Sequence, residues 1–153
     1  MLLAVFMLVI SISACDTKTV KIKYNTAKNV PTVQSGIVAE NDRLILSWND
    51  TAKSVSFTEK STGKIWSNIP IDVINEGKAS ANLNSTVNVE LYQENSFSNV
   101  DVKGYSAAFE NGRISTKKID NGVKVTYYFD EYKVSVPVEY VLRDTSLLVS
   151  INS

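Results

Sequence analysis

Residues 113–151 have the sequence RISTKKIDNGVKVTYYFDEYKVSVPVEYVLRDTSLLVSI, and this stretch decides the fold of the chain. β-branched and aromatic residues fill its runs, and polar turn residues separate them, a pattern typical of antiparallel β-structure. The pattern predicts a meander of four strands, at 113–119, 123–129, 132–142 and 146–151.

Two positions within the meander predict local geometry. Asn121-Gly122 favours a tight turn that needs a positive φ at its centre. Pro137 has no amide proton to donate to a neighbouring strand, so it indicates an edge position or a bulge.

The residues before the meander repeat the pattern of short β-type runs and polar turns. Leu44, Leu46 and Trp48 alternate onto one face of a run, as in a half-buried strand. Strands are predicted at 36–40, 43–48, 54–60, 64–67 and 87–92, a short helix or a long loop at 72–84, and a helical turn at 105–109. The sequence therefore predicts an all-β protein, an antiparallel β-sandwich, complete or incomplete, with at most one short helix besides a signal peptide.

Length and composition restrict the function classes. The 153 residues suffice for one domain with a buried core, and 16 basic residues balance 16 acidic ones, so no nucleic-acid partner is expected. The chain has no histidine, which excludes Ser/His and Cys/His nucleophile systems and His-ligated zinc. Its single cysteine excludes an intrachain disulfide.

The N-terminus resembles a bacterial lipoprotein signal peptide. Residues 2–12 form an apolar run that is too short to span a bilayer, which needs about 20 residues. Ile12-Ser13-Ala14-Cys15 then resembles a lipobox, which implies cleavage after position 14 and lipidation of Cys15. We expect anchoring to the outer face of the cytoplasmic membrane of a Gram-positive bacterium; the alternative is a buried apolar strand with an incidental cysteine.

Residues 15–35 are polar and are expected to form a tether between the signal peptide at 1–14 and a β-sandwich domain at 36–153. The lysines of this segment either contact anionic membrane or wall polymers, or are simply solvated. They are Lys18, Lys21, Lys23 and Lys28.

Four short segments carry a resemblance to a protein family: ENDRL at 40–44, TGKIW at 62–66, NGVKVTY at 121–127 and VPVEY at 136–140. Together they resemble the N-terminal region of large lipoproteins of Gram-positive bacteria. In that family a β-supersandwich, similar to the galactose-mutarotase-like N-terminal domains of several glycoside hydrolases, precedes a catalytic-type (β/α) barrel. The resemblance implies that residues 36–153 are such a sandwich, and that any carboxylate pair for glycoside hydrolysis lies in a downstream barrel.

Trp66 is the candidate for carbohydrate contact, because it lies beside a hairpin turn, where aromatic rings are often exposed. Tyr127 and Tyr128 point to opposite faces of one strand, so one of them should lie away from the core unless another element covers it. We expect most other aromatic residues in the core, among them Trp48, Tyr92 and Tyr132.

No catalytic residue, metal site or cofactor is predicted. Asp130 and Glu131 are adjacent and are expected to be turn residues, since neighbours in an extended chain cannot flank one glycosidic bond. Glu139 faces either a cleft or solvent.

Two functions fit these features. The first is a lipid-anchored, non-catalytic N-terminal sandwich of a carbohydrate-processing, glycoside-hydrolase-like surface protein, with a downstream barrel as partner. The alternative is a complete small lipoprotein that acts as a glycan- or protein-binding module of the cell envelope.

Overall fold

The computed structural model describes residues 24–70, 85–92, 99–103, 105–110 and 113–151. These described residues form ten β-strands and one short π-helical segment, Tyr105–Glu110. The strands are β1 Gly36–Glu40, β2 Leu44–Asn49, β3 Ser54–Glu59, β4 Ile65–Ser67, β5 Asn88–Tyr92, β6 Asn99–Lys103, β7 Arg113–Ile119, β8 Gly122–Phe129, β9 Val134–Leu142 and β10 Leu147–Ile151.

The strands form two antiparallel four-stranded sheets and one two-stranded pair. The first sheet has the order β1-β2-β3-β4, the second has the order β10-β9-β8-β7, and β5 pairs with β6. Each strand of the larger sheets pairs with its neighbour in sequence, because short turns join them. The predicted four-strand meander is confirmed.

The two larger sheets share one hydrophobic core. Side chains of cross-strand partners point to the same face of a sheet. Leu46 pairs with Phe57 in the first sheet, and Val125 pairs with Val138 in the second, so each pair lies on the core-facing side of its sheet. Side chains from both sheets join one buried cluster: Val38, Leu44, Leu46, Trp48, Val55, Ala108, Ile114, Val123, Val125, Tyr127, Phe129, Val138, Tyr140 and Leu142. The prediction of an all-β, sandwich-like fold is therefore confirmed.

The β7–β8 turn differs in detail from the prediction. Ile119 pairs with Gly122, so the loop consists of Asp120 and Asn121, and the positive φ, 54°, falls on Asn121. Gly122 is already part of β8, where a Cβ would lie 2.0 Å from the carbonyl oxygen of Tyr140. The glycine is needed because β9 approaches closely.

Pro137 lies in the second sheet where β9 has one neighbour only. It pairs with Thr126 of β8, while β10 pairs with β9 from Val138 to Leu142. Within the described residues, Pro137 is therefore beyond the end of the β10 ladder. This is locally an edge position, as the missing amide proton predicts.

The N-terminal described residues pack against the second sheet. Thr116 of β7 donates its amide to the carbonyl of Pro31, and its hydroxyl accepts the amide of Val33. Residues 24–33 thus cover the free edge of β7, although the whole segment 15–35 is predicted to be a tether. Residues 15–23 and the weakly patterned 72–84 lie outside the described residues.

Candidate functional site

Trp66 lies on β4, an edge strand of the first sheet, and 37% of the residue is exposed. Its ring stacks on that of Phe57, its cross-strand partner, with centroids 4.8 Å apart and planes 9° from parallel. The Nζ of Lys64 lies 4.9 Å from the indole centroid. A sugar that stacked on Trp66 would therefore share the indole with two existing neighbours, the ring of Phe57 and the ammonium of Lys64.

The other aromatic candidates follow the core prediction where they are described. Trp48 and Tyr127 are buried, and Tyr132 packs against the core. The Tyr92 side chain lies outside what the structure describes. Cys15 also lies outside the described residues, so its lipidation stays a prediction.

Tyr128 is buried although it points away from the face that Tyr127 occupies. The ring of Tyr24 covers it edge-on, with centroids 6.0 Å apart, and the Arg113 guanidinium carbon lies 4.5 Å from its centroid. The N-terminal segment is thus the element that shields the outer tyrosine from solvent.

Arg113 is the centre of this outer cluster. Its Nε donates to Oδ2 of Asp130 at 3.0 Å, and its Nη2 donates to Oδ1 at 2.7 Å. The guanidinium also donates to the carbonyls of Asn25 (2.6 Å) and Ala27, and the Tyr24 hydroxyl donates to Oδ1 of Asp130. One arginine therefore holds residues 24–27 against the start of β7 and the end of β8.

The charges in this cluster stabilise one another. Hydrogen bonds from the Arg113 guanidinium hold the pKa of the Asp130 carboxyl below its ordinary value. The same hydrogen bonds raise the pKa of Arg113. Partial burial, followed by the hydrogen bond to Asp130, raises the pKa of Tyr24. The pair is fully ionised and the phenol is neutral near pH 7.

A cavity of about 290 Å³ opens beside this cluster, lined by Tyr24, Thr26, Lys28, Arg113, Asp130 and Lys133. A larger surface depression, of about 470 Å³, lies at the β3–β4 hairpin and is lined by Asp42, Arg43, Glu59, Lys60 and Ser61. The second depression has equal numbers of acidic and basic side chains, whereas the first has three cations and one carboxylate.

The carboxylates that the sequence analysis considered lie in a turn or beside a lysine. Asp130 and Glu131 lie in the β8–β9 turn, as predicted. Oε1 of Glu139 lies 3.1 Å from the ammonium of Lys124, its cross-strand partner on the face turned away from the core. In the described part of the chain, no three His, Cys, Asp or Glu side chains come together as a metal site would require.

The edge strand β10 exposes apolar side chains. Val149 and Ile151 pair with Tyr140 and Val138, so they belong to the core-facing side of the second sheet. Yet Val149 is 53% exposed and Ile151 is 69% exposed. The apolar face of this sheet therefore extends beyond the part that the first sheet covers.

The Arg113 cluster is the feature that sequence reasoning missed. Arg113 is separated from Asp130 by 17 positions and from Tyr24 by 89. No local motif connects them, because they meet only when β7 pairs with β8 and residues 24–27 fold over that pair. Tyr128 was the one signal, since a second large aromatic on the outer face needs a cover.

No protein-family model, no curated protein and no solved structure matches this chain. Within the described residues, no helix has the length and apolar character needed to cross a membrane.

Proposed function

We propose that this chain is a non-catalytic β-sandwich module, anchored through a lipid on Cys15 to the outer face of a bacterial cytoplasmic membrane. In this proposal the module supports a carbohydrate-processing domain that docks on β10. The lipobox at 12–15 supports the anchor, and the resemblance of residues 36–153 to the sandwich of glycoside-hydrolase-related lipoproteins supports the class of partner. The main support for docking is the exposure of apolar side chains on β10.

Among the described residues, β10 is the end strand of its sheet. Proteins protect such edges with charged side chains, proline, bulges or a covering segment. The β7 edge is covered by residues 31–33, and Lys64 lies directly before β4. β10 has the sequence LLVSI, which contains neither a charged residue nor a proline. Its exposed apolar side chains suit an apolar surface of a following domain.

Burial of Val149 and Ile151 sets the scale of this docking. Full burial of one such side chain contributes about 1.5–3 kcal/mol. Val149 is 53% exposed and Ile151 is 69% exposed, so burying the rest of both side chains would contribute about 2–4 kcal/mol, enough to bias the orientation of two domains that the chain already connects.

The first experiment measures the native, cell-associated protein by immunoblot with an antibody against residues 36–153. The proposal expects a membrane-associated band much larger than the 153-residue chain, and Cys15→Ser should make that band removable from the membrane by a high-salt wash. A band of the chain's own size would contradict a supporting role for a following domain. Membrane association of Cys15→Ser that survives a high-salt wash would contradict the lipid anchor.

A second experiment tests the β10 surface in that larger polypeptide by calorimetry. Val149→Lys combined with Ile151→Lys should lower the melting temperature of the sandwich by several degrees, because docking would leave charges buried. Ile37→Lys combined with Ile65→Lys is the matched control, since these residues lie on the edge strands β1 and β4 of the other sheet and are 58% and 49% exposed. Equal effects of both changes would contradict docking at β10.

The exposed ring of Trp66 favours a second candidate, a self-contained lipoprotein that binds a glycan at the β4 edge. In that case the native band has the size of the chain itself, and the ligand contacts Trp66 and Lys64. The immunoblot therefore distinguishes the two candidates directly.

A further inference from the structure

The 290 Å³ cavity beside Arg113 has the composition of a small anion site. The guanidinium and the Asp130 carboxylate neutralise one another through two hydrogen bonds. Two ammonium groups, Lys28 and Lys133, and the hydroxyl of Thr26 remain on the cavity wall. These groups donate hydrogen bonds to phosphate oxygens, and two ammonium groups balance the charge of a phosphodiester with one charge to spare.

The ammonium groups of the two lysines are available to a ligand, although Lys133 lies close enough to Asp130 to help lower the pKa of that carboxyl. Neither Lys28 nor Lys133 forms an ion pair with any other described residue. The Nζ of Lys133 lies 5.8 Å from the centroid of Tyr24, so its position against the cavity wall is set by an aromatic face. The exposed carboxylate of Glu131 is next to Lys133 in sequence but does not line the cavity.

The site is held in place by the fold. Lys28 belongs to the N-terminal segment, which Arg113 fastens through the carbonyls of Asn25 and Ala27. Lys133 belongs to the β8–β9 turn, which begins at Asp130. The Arg113–Asp130 pair therefore connects the two elements that carry the free cations and fixes the distance between them.

Covalent geometry places this cavity near the membrane if Cys15 carries a lipid. Tyr24 is nine positions after Cys15, and a fully extended chain spans at most about 3.3–3.6 Å per residue, or roughly 30 Å in total. Lys18, Lys21 and Lys23 are among the eight residues between them, so this connecting sequence is itself positively charged. Each cation near an anionic bilayer adds to the attraction.

We infer that the cavity lined by Lys28, Lys133 and Thr26 binds the phosphate group of an anionic phospholipid in the membrane that holds the anchor. The inference rests on the proposed lipid anchor, which brings the cavity within reach of the headgroups. Binding orients the sandwich on the bilayer, with the β7 edge turned toward the lipid.

The test uses residues 15–153 with Cys15→Ser, which retain every described contact but have no acyl chain. Sedimentation is measured with vesicles of phosphatidylglycerol in phosphatidylcholine and with phosphatidylcholine alone. We expect binding to the anionic vesicles only, weakened by added salt. Lys28→Gln combined with Lys133→Gln should weaken it about tenfold or more.

Lys117→Gln combined with Lys118→Gln is the matched control, because it removes the same charge from the far end of β7. We expect less than a threefold change. Equal losses in the two double variants would overturn the inference, because general attraction would then explain the binding.

Lys133→Gly is a second variant that removes one of the two cations without destabilising the fold. Lys133 has a φ of 55°, a conformation that favours glycine, so this variant should be at least as stable as the parent chain and still bind anionic vesicles more weakly. Retained vesicle binding in this variant would count against the cavity.

Competition with inorganic phosphate distinguishes a lipid headgroup from free phosphate as the ligand of the cavity. Millimolar phosphate should compete only weakly, because a single headgroup acts together with the bilayer surface. Tight binding of phosphate in solution, without vesicle binding, would overturn the assignment to a lipid. A failure of the anchor appears instead as salt-resistant membrane retention of Cys15→Ser in cells, so the two failures are distinguishable.

Discussion

Arg113 and Asp130 form a two-point ion pair between the start of β7 and the turn after β8, with Nε–Oδ2 and Nη2–Oδ1 distances of 3.0 and 2.7 Å. This pair closes the outer face of the second sheet over Tyr128 and holds the N-terminal segment against it. Residues 24–27, β7 and the β8–β9 turn therefore meet around one charged pair.

Asp130→Asn should lower the free energy of unfolding at pH 7 by about 0.5–1 kcal/mol, a small value because the carboxylate is partly exposed. The folded-state pKa of Asp130 lies below its ordinary value of 3.8, so the stabilisation is present above that value. It is lost as the pH falls through the folded-state pKa. Urea unfolding of parent and variant from pH 7 to pH 2 should show the two curves converging under acid conditions. A difference that stays constant with pH would contradict the ion pair.

Gly122→Ala should destabilise the sandwich by at least about 2 kcal/mol, because the new Cβ would lie 2.0 Å from the backbone oxygen of Tyr140. Gly63→Ala is the comparison: no atom lies within 4 Å of its Cβ, and only its φ of 69° opposes the change, at about 1 kcal/mol. Thermal unfolding of both variants measures the difference. A smaller effect at Gly122 than at Gly63 would mean that β9 moves freely at this point.

Tyr127→Phe should leave stability within about 0.5 kcal/mol of the parent chain, or raise it, because the buried hydroxyl makes no hydrogen bond of good geometry, although Thr86 and Tyr140 lie close enough to influence its pKa. Burial also raises the pKa of Tyr127, so alkaline titration should ionise it only upon unfolding. Thr116→Val is the contrast, since the hydroxyl of Thr116 accepts the amide of Val33. Its loss should cost about 1–2 kcal/mol. Urea unfolding compares the two, and a large loss for Tyr127→Phe would reveal a partner for that hydroxyl.

Tryptophan fluorescence tests glycan contact at the β4 edge. Of the two tryptophans, Trp48 is buried and Trp66 is exposed, so acrylamide should quench one of them. Soluble cell-wall glycan fragments should protect Trp66 from quenching if the second candidate function holds. Trp66→Phe, which keeps an aromatic ring against Phe57, should abolish the protected signal. No protection at saturating glycan would exclude this edge as the binding site.

The strands could be predicted from sequence because each depends on local information. Alternation in Leu44, Leu46 and Trp48 and polar turns between runs define strand positions within a few residues. One strand was missed, β6 at Asn99–Lys103, where the sequence suggested a polar loop. The other differences lie at strand ends: β9 begins at Val134 rather than at 132, because the β8–β9 turn includes Tyr132 and Lys133. The position of the β7–β8 loop was shifted by one residue, since the close approach to Tyr140 that requires Gly122 is a contact between strands.

Some of the candidate sites could be predicted from local sequence, and others depend on tertiary contacts. The sequence that resembles a lipobox is contiguous, so lipidation of Cys15 could be predicted without any structure, and it stays a prediction. The exposure of Trp66 followed from its place beside a hairpin turn, but its stacking on Phe57 depends on the β3–β4 register. The Arg113 cluster and the cavity between Lys28 and Lys133 could not be predicted, because their members are brought together only by folding.

The sequence by itself determined that this is an all-β chain with a meander at its C-terminal side, since side-chain alternation and turn residues act over a few positions. The tertiary structure alone decided which faces are covered. Residues 24–33 shield Tyr128 and the β7 edge, while Val149 and Ile151 of β10 are exposed. Which faces are covered depends on how segments that are distant in sequence pack together. The free energy of that packing depends on the whole fold, so no single stretch of sequence predicts it.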